Sequence, residues 1–261
     1  MHILFPSEPF NKKVADEPYA IEYEAFHSAG LKCALFSPFD FDQGAFKPWP
    51  SLPPGDMVLY RGWMLKPEEY QRLHAAISLN GNVPLTNPDQ YRACHYLPEW
   101  YSLFHEHTPE TVFASRDADF VSILANHVWP AYFVKDYVKS LTTKRGSIAS
   151  SANEVGEIVS LIEQFRGEVE GGVCIRKYED FLADTEERYF VLNGKAYGRS
   201  GDVPELVREI ARHVLSPFLS VDVVMRADGV LRLIELGDGQ VSGLKKWSIA
   251  DFVSMVEESG L

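Results

Sequence analysis

Two short stretches near the end of the chain set carboxylates where carboxylates are seldom found. Asp222 stands between Val221 and Val223, and Glu235 between Ile234 and Leu236, each inside an apolar run with strand character. Burying an unpaired charge is costly, so acids in such positions pair with cations or bind metal. The intervening Arg226-Ala227-Asp228-Gly229 reads as a turn, which lays the two runs side by side as a hairpin and lets the acids face one another. Two carboxylates held together repel until a cation joins them, and oxygen-ligated Mg²⁺ is the economical choice. Asp238, in a Gly-flanked bend just after Glu235, can add a third oxygen. The competing reading pairs Asp222 with an arginine and turns Glu235 to solvent from an ordinary two-faced strand.

A second set of residues is basic. Lys135 and Lys139 fall an even number of residues apart in AYFVKDYVKSL, which reads as one strand, so both are expected to project from the same face. Lys144-Arg145-Gly146 follow in the polar turn TTKRGSIAS, Arg176-Lys177 end the strand GGVCIRKY, and Arg188 opens the strand ERYFVL. Each lysine alone reads as a solvated surface charge. Together, on one face of successive strands beside a carboxylate hairpin, such cations are what a nucleoside triphosphate and its Mg²⁺ require. Arg61, in LYRGWML, could hold a substrate carboxylate through both arms of its guanidinium or pair within the fold, and both readings stand. His105-Glu106-His107 lacks the HExxH spacing that places two imidazoles on one helix face, and reads as a polar surface turn. GxSxG, GxxxxGK[ST] and GxGxxG are all absent, so neither a hydrolase elbow, a Walker loop nor a dinucleotide fingerprint is supported.

The elements that must position these groups change style along the chain. Ile3 to Phe5, Leu31 to Phe36, Met57 to Tyr60 and Val83 to Thr86 read as strands. Between them run helical patterns through Tyr19, Tyr23 and Phe26, from Pro67 through Ile77, and from Pro88 to His95. Such alternation predicts a parallel sheet covered by helices. LPEWYSLF and FVSILANH read as linking helices, and from Ala131 hairpins dominate. Ser151 and Glu154 have capping-box spacing ahead of a helix with Val155, Ile158, Val159, Ile162 and Phe165 on one face. Asn193-Gly194 joins ERYFVL to KAYG as a two-residue hairpin. Asp202 and Pro204 open a helix whose stripe is Leu206, Val207, Ile210, Val214 and Leu215, and Ser248 opens the last one. Two lobes meeting at a cleft are the expected outcome.

With 261 residues and 46% hydrophobic content the chain can build one large or two closely packed domains. Its net charge of −12 argues against non-specific nucleic-acid binding, so any anionic ligand needs a locally basic pocket. Three scattered cysteines, Cys33, Cys94 and Cys174, fit neither a disulfide framework nor a zinc site. With no apolar stretch of membrane-spanning length and no secretory signal, a cytoplasmic protein is expected.

PAYFVKDYVKS, GGVCIRKYEDF, EERYFVLNGKAYG and SVDVVMRADGVLRLIELGDGQVSGL, in that order, resemble the ATP-grasp superfamily, in particular its predicted amide or peptide ligase branch. The resemblance runs from roughly residue 85 to 245, with ELGDGQVSGL and VKDYVKS as its specific motifs. It implies an α/β (α+β) ATP-grasp fold of two α+β lobes. Residues 1–95 form a preceding βα domain and 96–261 the core, with linking helices to about 130 and ATP-binding lobes beyond. It implies Lys135 on the ATP phosphates, with Lys139 as a second candidate, and Arg92 as the earlier cation. Arg176-Lys177-Tyr178-Glu179 resembles the hinge that receives adenine, with Lys177 the side-chain contact and Arg176 nearer the phosphates. Asp222 and Glu235 match the Mg²⁺-binding acids, with Mn²⁺ as an alternative metal, and Glu186-x-Arg188 matches the branch's Glu-x-Arg. Two departures stand out. The phosphate loop keeps a single glycine, Gly146, and the usual Glu-x-Asn reads Glu235-Leu236-Gly237, which makes Asp238 the substitute ligand.

The resemblance thus implies an ADP-forming carboxylate–amine ligase that works through an acyl phosphate, with Arg176 and Arg188 as catalytic cations. Its partners would be small-molecule or peptide carboxylates and amines, with no nucleic acid or membrane, and a homodimer is left open. The rivals are an ATP-dependent phosphotransferase and a non-catalytic nucleotide-binding sensor or adaptor.

Overall fold

The computed structural model describes every residue except Thr142 and Leu261. The chain divides into two compact units, one of residues 1–92, 188–221 and 237–261, the other of residues 93–187 and 222–236.

The first unit opens with β1 (His2–Pro6), α1 (Glu17–Ser28), β2 (Cys33–Phe36), α2 (Pro38–Asp42), β3 (Met57–Tyr60), α3 (Pro67–Leu79) and β4 (Val83–Pro84). The strands form a parallel sheet in the order β2-β1-β3-β4, with Ile3 matched to Cys33 and Leu59. Apolar side chains on both faces explain why these strands read as continuous hydrophobic runs. Ile3, Phe5, Leu35 and Leu59 face one core with Phe26 and Phe252, while Leu4, Ala34, Phe36, Val58 and Tyr60 face the other with Tyr70, Leu73 and Ile77. The expected β-α alternation is present. α2 was not anticipated; Ser37 starts it by accepting from the Asp40 N–H through Oγ, with Pro38 in the first turn. The strand expected over Val83 to Thr86 is only two residues long.

α4 (Pro88–His95) leads to the second unit's α5 (Leu97–Phe104), β5 (Thr111–Ala114), α6 (Phe120–Leu124), β6 (Tyr132–Asp136), β7 (Ile148–Ala149), α7 (Ala152–Arg166) and β8 (Val173–Lys177). Its sheet, in the order β5-β8-β6-β7, is antiparallel throughout. One face carries Ala114, Tyr132, Val134, Ala149, Val173 and Ile175, which pack on Val155, Ile158, Val159 and Ile162 of α7. Phe165, expected on that stripe, is 62% exposed. The expected capping box is also absent. Glu154 Oε2 takes the Ser150 N–H and an Arg145 ion pair, and Ser151 caps without a side-chain bond.

The strand expected over AYFVKDYVKSL stops at Asp136. The Asp136 carboxylate accepts from the Val138 and Lys139 N–H groups, so the side chain offers the backbone a turn in place of a ladder, and Lys139 leaves the strand. Lys135 and Lys139 therefore do not share a strand face. Thr142, in the turn that follows, lies outside the described residues.

The remaining elements are β9 (Glu187–Leu192), β10 (Lys195–Tyr197), α8 (Glu205–His213), β11 (Phe218–Met225), β12 (Leu231–Asp238) and α9 (Ile249–Glu258), with strand order β10-β9-β11-β12. Asn193 and Gly194 both take positive φ in the β9–β10 hairpin, as a two-residue turn requires. α8 starts at Pro204 rather than Asp202 and ends before Leu215, which is 85% exposed and off the expected stripe. Among the described residues no helix is long and apolar enough to cross a membrane.

Candidate functional site

The second face of the second unit's sheet is where the chemistry lies. Register places Phe133 opposite both Arg176 and Ile148, and Lys135 opposite Cys174, so with period two these side chains all leave the face that α7 does not cover. A cavity of about 280 Å³ opens there, lined by Pro109, Phe133, Ile148, Arg176, Lys177, Tyr178, Glu179, Phe181 and Ile234. Apolar and aromatic walls with a few convergent charges suit a planar base joined to an anionic tail.

Arg176 is 3% exposed and stays fixed by Nη1 donating to the Ile234 carbonyl at 3.0 Å and Nη2 to Thr108 Oγ1 at 2.5 Å. Thr108 Oγ1 in turn donates to the Leu233 carbonyl. Burial pulls the guanidinium down to about 10, still cationic at neutral pH, while its Nε is buried without a hydrogen-bond partner. A buried donor left open at the rim of a cavity fits an anionic oxygen of a ligand. Lys135 is 6% exposed and pairs with Glu235 Oε1 at 3.4 Å. Burial pushes the Cys174 thiol up to about 12, against the pull of Lys135 and Arg176, so it stays a thiol.

The acids sit on the β11–β12 hairpin. At its turn the Arg226 N–H donates to the Val230 carbonyl, and at its far end the Gly239 N–H donates to the Phe218 carbonyl. Between these contacts lie eight steps along β11 and nine along β12, so β12 carries one extra residue, a β-bulge. The offset is already present at Gly237, where a Cβ would stand 2.8 Å from Ser220 Oγ. Counted from the turn, Asp222 falls opposite Ile234. Ile234 lines the cavity and the next residue, Glu235, reaches Lys135, so two consecutive side chains bear on one face, which places the bulge at this pair. Asp222 is buried at 1% exposure.

Asp238 belongs to the first unit, in the bend after β12. Its Oδ1 accepts from the Gln240 N–H and side-chain amide, and burial raises its carboxyl to about 7. Among the described residues no three His, Cys, Asp or Glu side chains group closely enough to hold a metal by themselves, so Asp222, Glu235 and Asp238 do not form one cluster. The reason is local: Gln240 and the bend hold the Asp238 carboxyl. Mg²⁺ needs no third acid, because it is commonly held by one or two carboxylates with phosphates and waters completing the shell. Asp222 and Glu235 are a donor set of that kind.

Arg61 resolves in favour of the fold. It is 2% exposed, forks onto both Glu22 oxygens at 2.7 and 2.9 Å, and donates to the carbonyls of Gly239, Gln240 and Ser242. ELGDGQVSGL is thus a pinned bend. At Gly239 an added Cβ would lie 2.4 Å from the Phe218 ring, which explains that glycine by close approach.

The other candidates are placed as follows. Tyr178 and Glu179 line the cavity beside Lys177, but the Glu179 carboxylate is engaged by Arg232 and Arg226, which leaves it less free for a ligand than the sequence suggested. Lys139 is exposed after the Asp136 turn and Arg92 is exposed on α4. Arg188, in the first unit, donates to the Gly243 carbonyl at 2.7 Å. Sequence reasoning missed the cavity walls Phe133, Ile148, Phe181 and Ile234, together with Thr108 and Arg232. The walls had a signal, since Phe133 stands two residues from Lys135; Thr108 had none.

A family model described as an ATP-grasp domain, clade family 3, matches residues 93–256. Among solved structures, the D-cycloserine synthetase DcsG is similar at 13% identity over 99% of both chains, with a TM-score of 0.64. The ATP-grasp ligase PsnB complexed with a minimal precursor matches at 11% identity over 98% of both chains, TM-score 0.62. The D-alanyl-alanine synthetase A of Vibrio cholerae O1 biovar eltor str. N16961 matches at 12% identity over 100% of this chain and 94% of that one, TM-score 0.62. No curated protein matches by sequence. The structural likenesses establish the fold, the family model spans well over half of the residues, and this chain belongs to the ATP-grasp superfamily.

Proposed function

We propose that the chain is an ATP- and Mg²⁺-dependent carboxylate–amine ligase, with residues 1–95 as a pre-ATP-grasp domain and 96–261 as the core. The observation that carries this reading is the β6–β8 face, where buried Arg176 and Lys135 stand beside an apolar cavity and Lys135 meets Glu235. The ligase and synthetase neighbours support it.

In this reading adenine lies between Phe133, Ile148 and Ile234, and Arg176 and Lys135 neutralise phosphate charge. Asp222 and Glu235 hold Mg²⁺, which would withdraw charge from the phosphate oxygens. A substrate carboxylate oxygen attacks the γ-phosphorus, the bond to the β-bridging oxygen breaks, and ADP leaves. The amine of the second substrate then attacks the acyl carbon, phosphate departs, and the nitrogen gives up a proton to leave an amide. In-line transfer of this kind depends on positioning and charge neutralisation more than on a protein nucleophile. That suits a sheet face on which the Cys174 thiol is held protonated. Arg188 is assigned to the transferred phosphoryl group by its Glu-x-Arg context, and the substrates are small-molecule or peptide acids and amines.

The test is an ADP-release assay over a panel of acids and amines, with products followed by mass spectrometry. ADP appearing together with a product equal to acid plus amine less one water supports ligation. A stable phosphorylated product identifies a phosphotransferase, and nucleotide binding without turnover identifies a sensor; either overturns the proposal.

A further inference from the structure

A second, smaller cavity lies within the first unit, at the carboxyl ends of the parallel strands. Its volume is about 100 Å³, and its walls are Phe36 at the end of β2, Phe41 of α2, Tyr60 at the end of β3, and Trp63 just beyond. Strand order β2-β1-β3-β4 means that the chain winds one way from β1 to β2 and the other way from β3 to β4. Open α/β sheets bind ligands beyond the carboxyl ends of their strands around such a reversal.

The rings are fixed. Tyr60 is buried and its hydroxyl donates to the Trp63 carbonyl at 2.8 Å, and Trp63 Nε1 donates to Asp16 at 2.8 Å. Phe36 packs against Phe41 and Tyr60 with centroids 6.0 and 6.1 Å apart. The charges at the mouth are loose by contrast. Arg72 lies over the Phe41 ring at 5.4 Å and meets Asp42 at 3.6 Å, with the two side chains 53% and 65% exposed. Exposed pairs of this kind contribute little and open readily. Glu69, also on the wall, accepts the Lys66 N–H through one oxygen.

A rigid aromatic pocket with one cation and two acids at its mouth matches a ligand that carries both charges itself. An ammonium would take Asp42 and the ring faces, while a carboxylate would take the Arg72 fork. With liquid water occupying about 30 Å³ per molecule, the volume admits about three water-sized groups, which limits the ligand to the smallest members of its class. We infer that this cavity binds a small free α-amino acid, of glycine or alanine size, between Asp42 and Arg72. The inference rests on no part of the ligase reading, although such a ligand belongs to the class a carboxylate–amine ligase joins.

Isothermal titration without ATP or Mg²⁺ tests it, using glycine, both alanine enantiomers, methylamine, acetate and phenylalanine. Glycine or an alanine should bind saturably, methylamine and acetate roughly tenfold or more weaker, and phenylalanine not at all. Arg72→Gln and Asp42→Asn should each weaken amino-acid binding by roughly tenfold or more, with melting curves unchanged because both side chains are more than half exposed. No binding by glycine or either alanine, equal binding of methylamine or acetate, or undiminished binding in both variants would overturn it. ADP release is measured separately, so either idea can fail alone.

Discussion

Replacing Arg61 by methionine removes a buried cation that Glu22 and three backbone carbonyls depend on. Arg61 is 2% exposed and the Glu22 side chain 12%, so water cannot readily replace the fork. Breaking a buried pair from one side costs about 3–5 kcal/mol, because the remaining charge stays desolvated. The carbonyls of Gly239, Gln240 and Ser242 lose donors at 3.3, 3.1 and 2.7 Å, and add about 1 kcal/mol between them where water fails to reach. The sum, about 4–6 kcal/mol, approaches the total stability of many domains. At about 2–4 °C per kcal/mol, melting should fall by roughly 10–20 °C. Urea unfolding and calorimetry measure both. The double variant Arg61→Met with Glu22→Leu should recover part of the loss, since removing both charges leaves nothing stranded. A loss below about 1 kcal/mol for the single variant, or no recovery in the double, would refute the structural role and return Arg61 to the pool of substrate-binding cations.

Three further outcomes are expected. Asp238 has a folded pKa of about 7, raised by burial above its ordinary 3.8, so the native state holds a proton that the unfolded chain releases. Stability should therefore fall as pH rises from about 4 to 7 and level off above. Asp238→Asn should remove that slope, worth on the order of 4 kcal/mol across the window, and identical urea midpoints for both proteins across the range would refute it. Lys135→Met and Arg176→Met should each raise the ATP dissociation constant roughly 10–100-fold by titration calorimetry; an unchanged constant in either removes that residue from the phosphate site. Asp222→Asn and Glu235→Gln should abolish ATP turnover with little loss of folding, and activity retained in both would end the metal assignment.

Much of the first unit was legible because its strands are buried on both faces and its helices start at prolines. Met57–Tyr60, Pro67–Leu79 and Pro88–His95 carry apolar runs and stops that tertiary packing had no reason to override. The second unit was harder. Thr111–Ala114 is four residues with one polar edge, and nothing in TVFA sets it apart from a loop until β8 offers it a ladder. Lys135 and Lys139 looked like strand-mates because alternation is blind to side chains that compete for the backbone, as Asp136 does.

The site shows the same division between pattern and register. That Asp222 and Glu235 were unusual could be read from their neighbours; that they share a side of the hairpin could not. In an unbroken ladder counted from the Arg226–Val230 contact, Asp222 falls opposite Ile234, and Glu235 would point to the other face. The extra residue in β12 is what turns Glu235 toward Lys135, and no composition rule locates a bulge flanked by Leu233 and Leu236. The bulge also lets Ile234 and Glu235 act together: one lines the apolar cavity and gives its carbonyl to Arg176, the other neutralises Lys135. A single irregularity thus sets both the wall for a base and the acid beside the cations, which is why neither Ile234 nor its partner Thr108 stood out in the sequence.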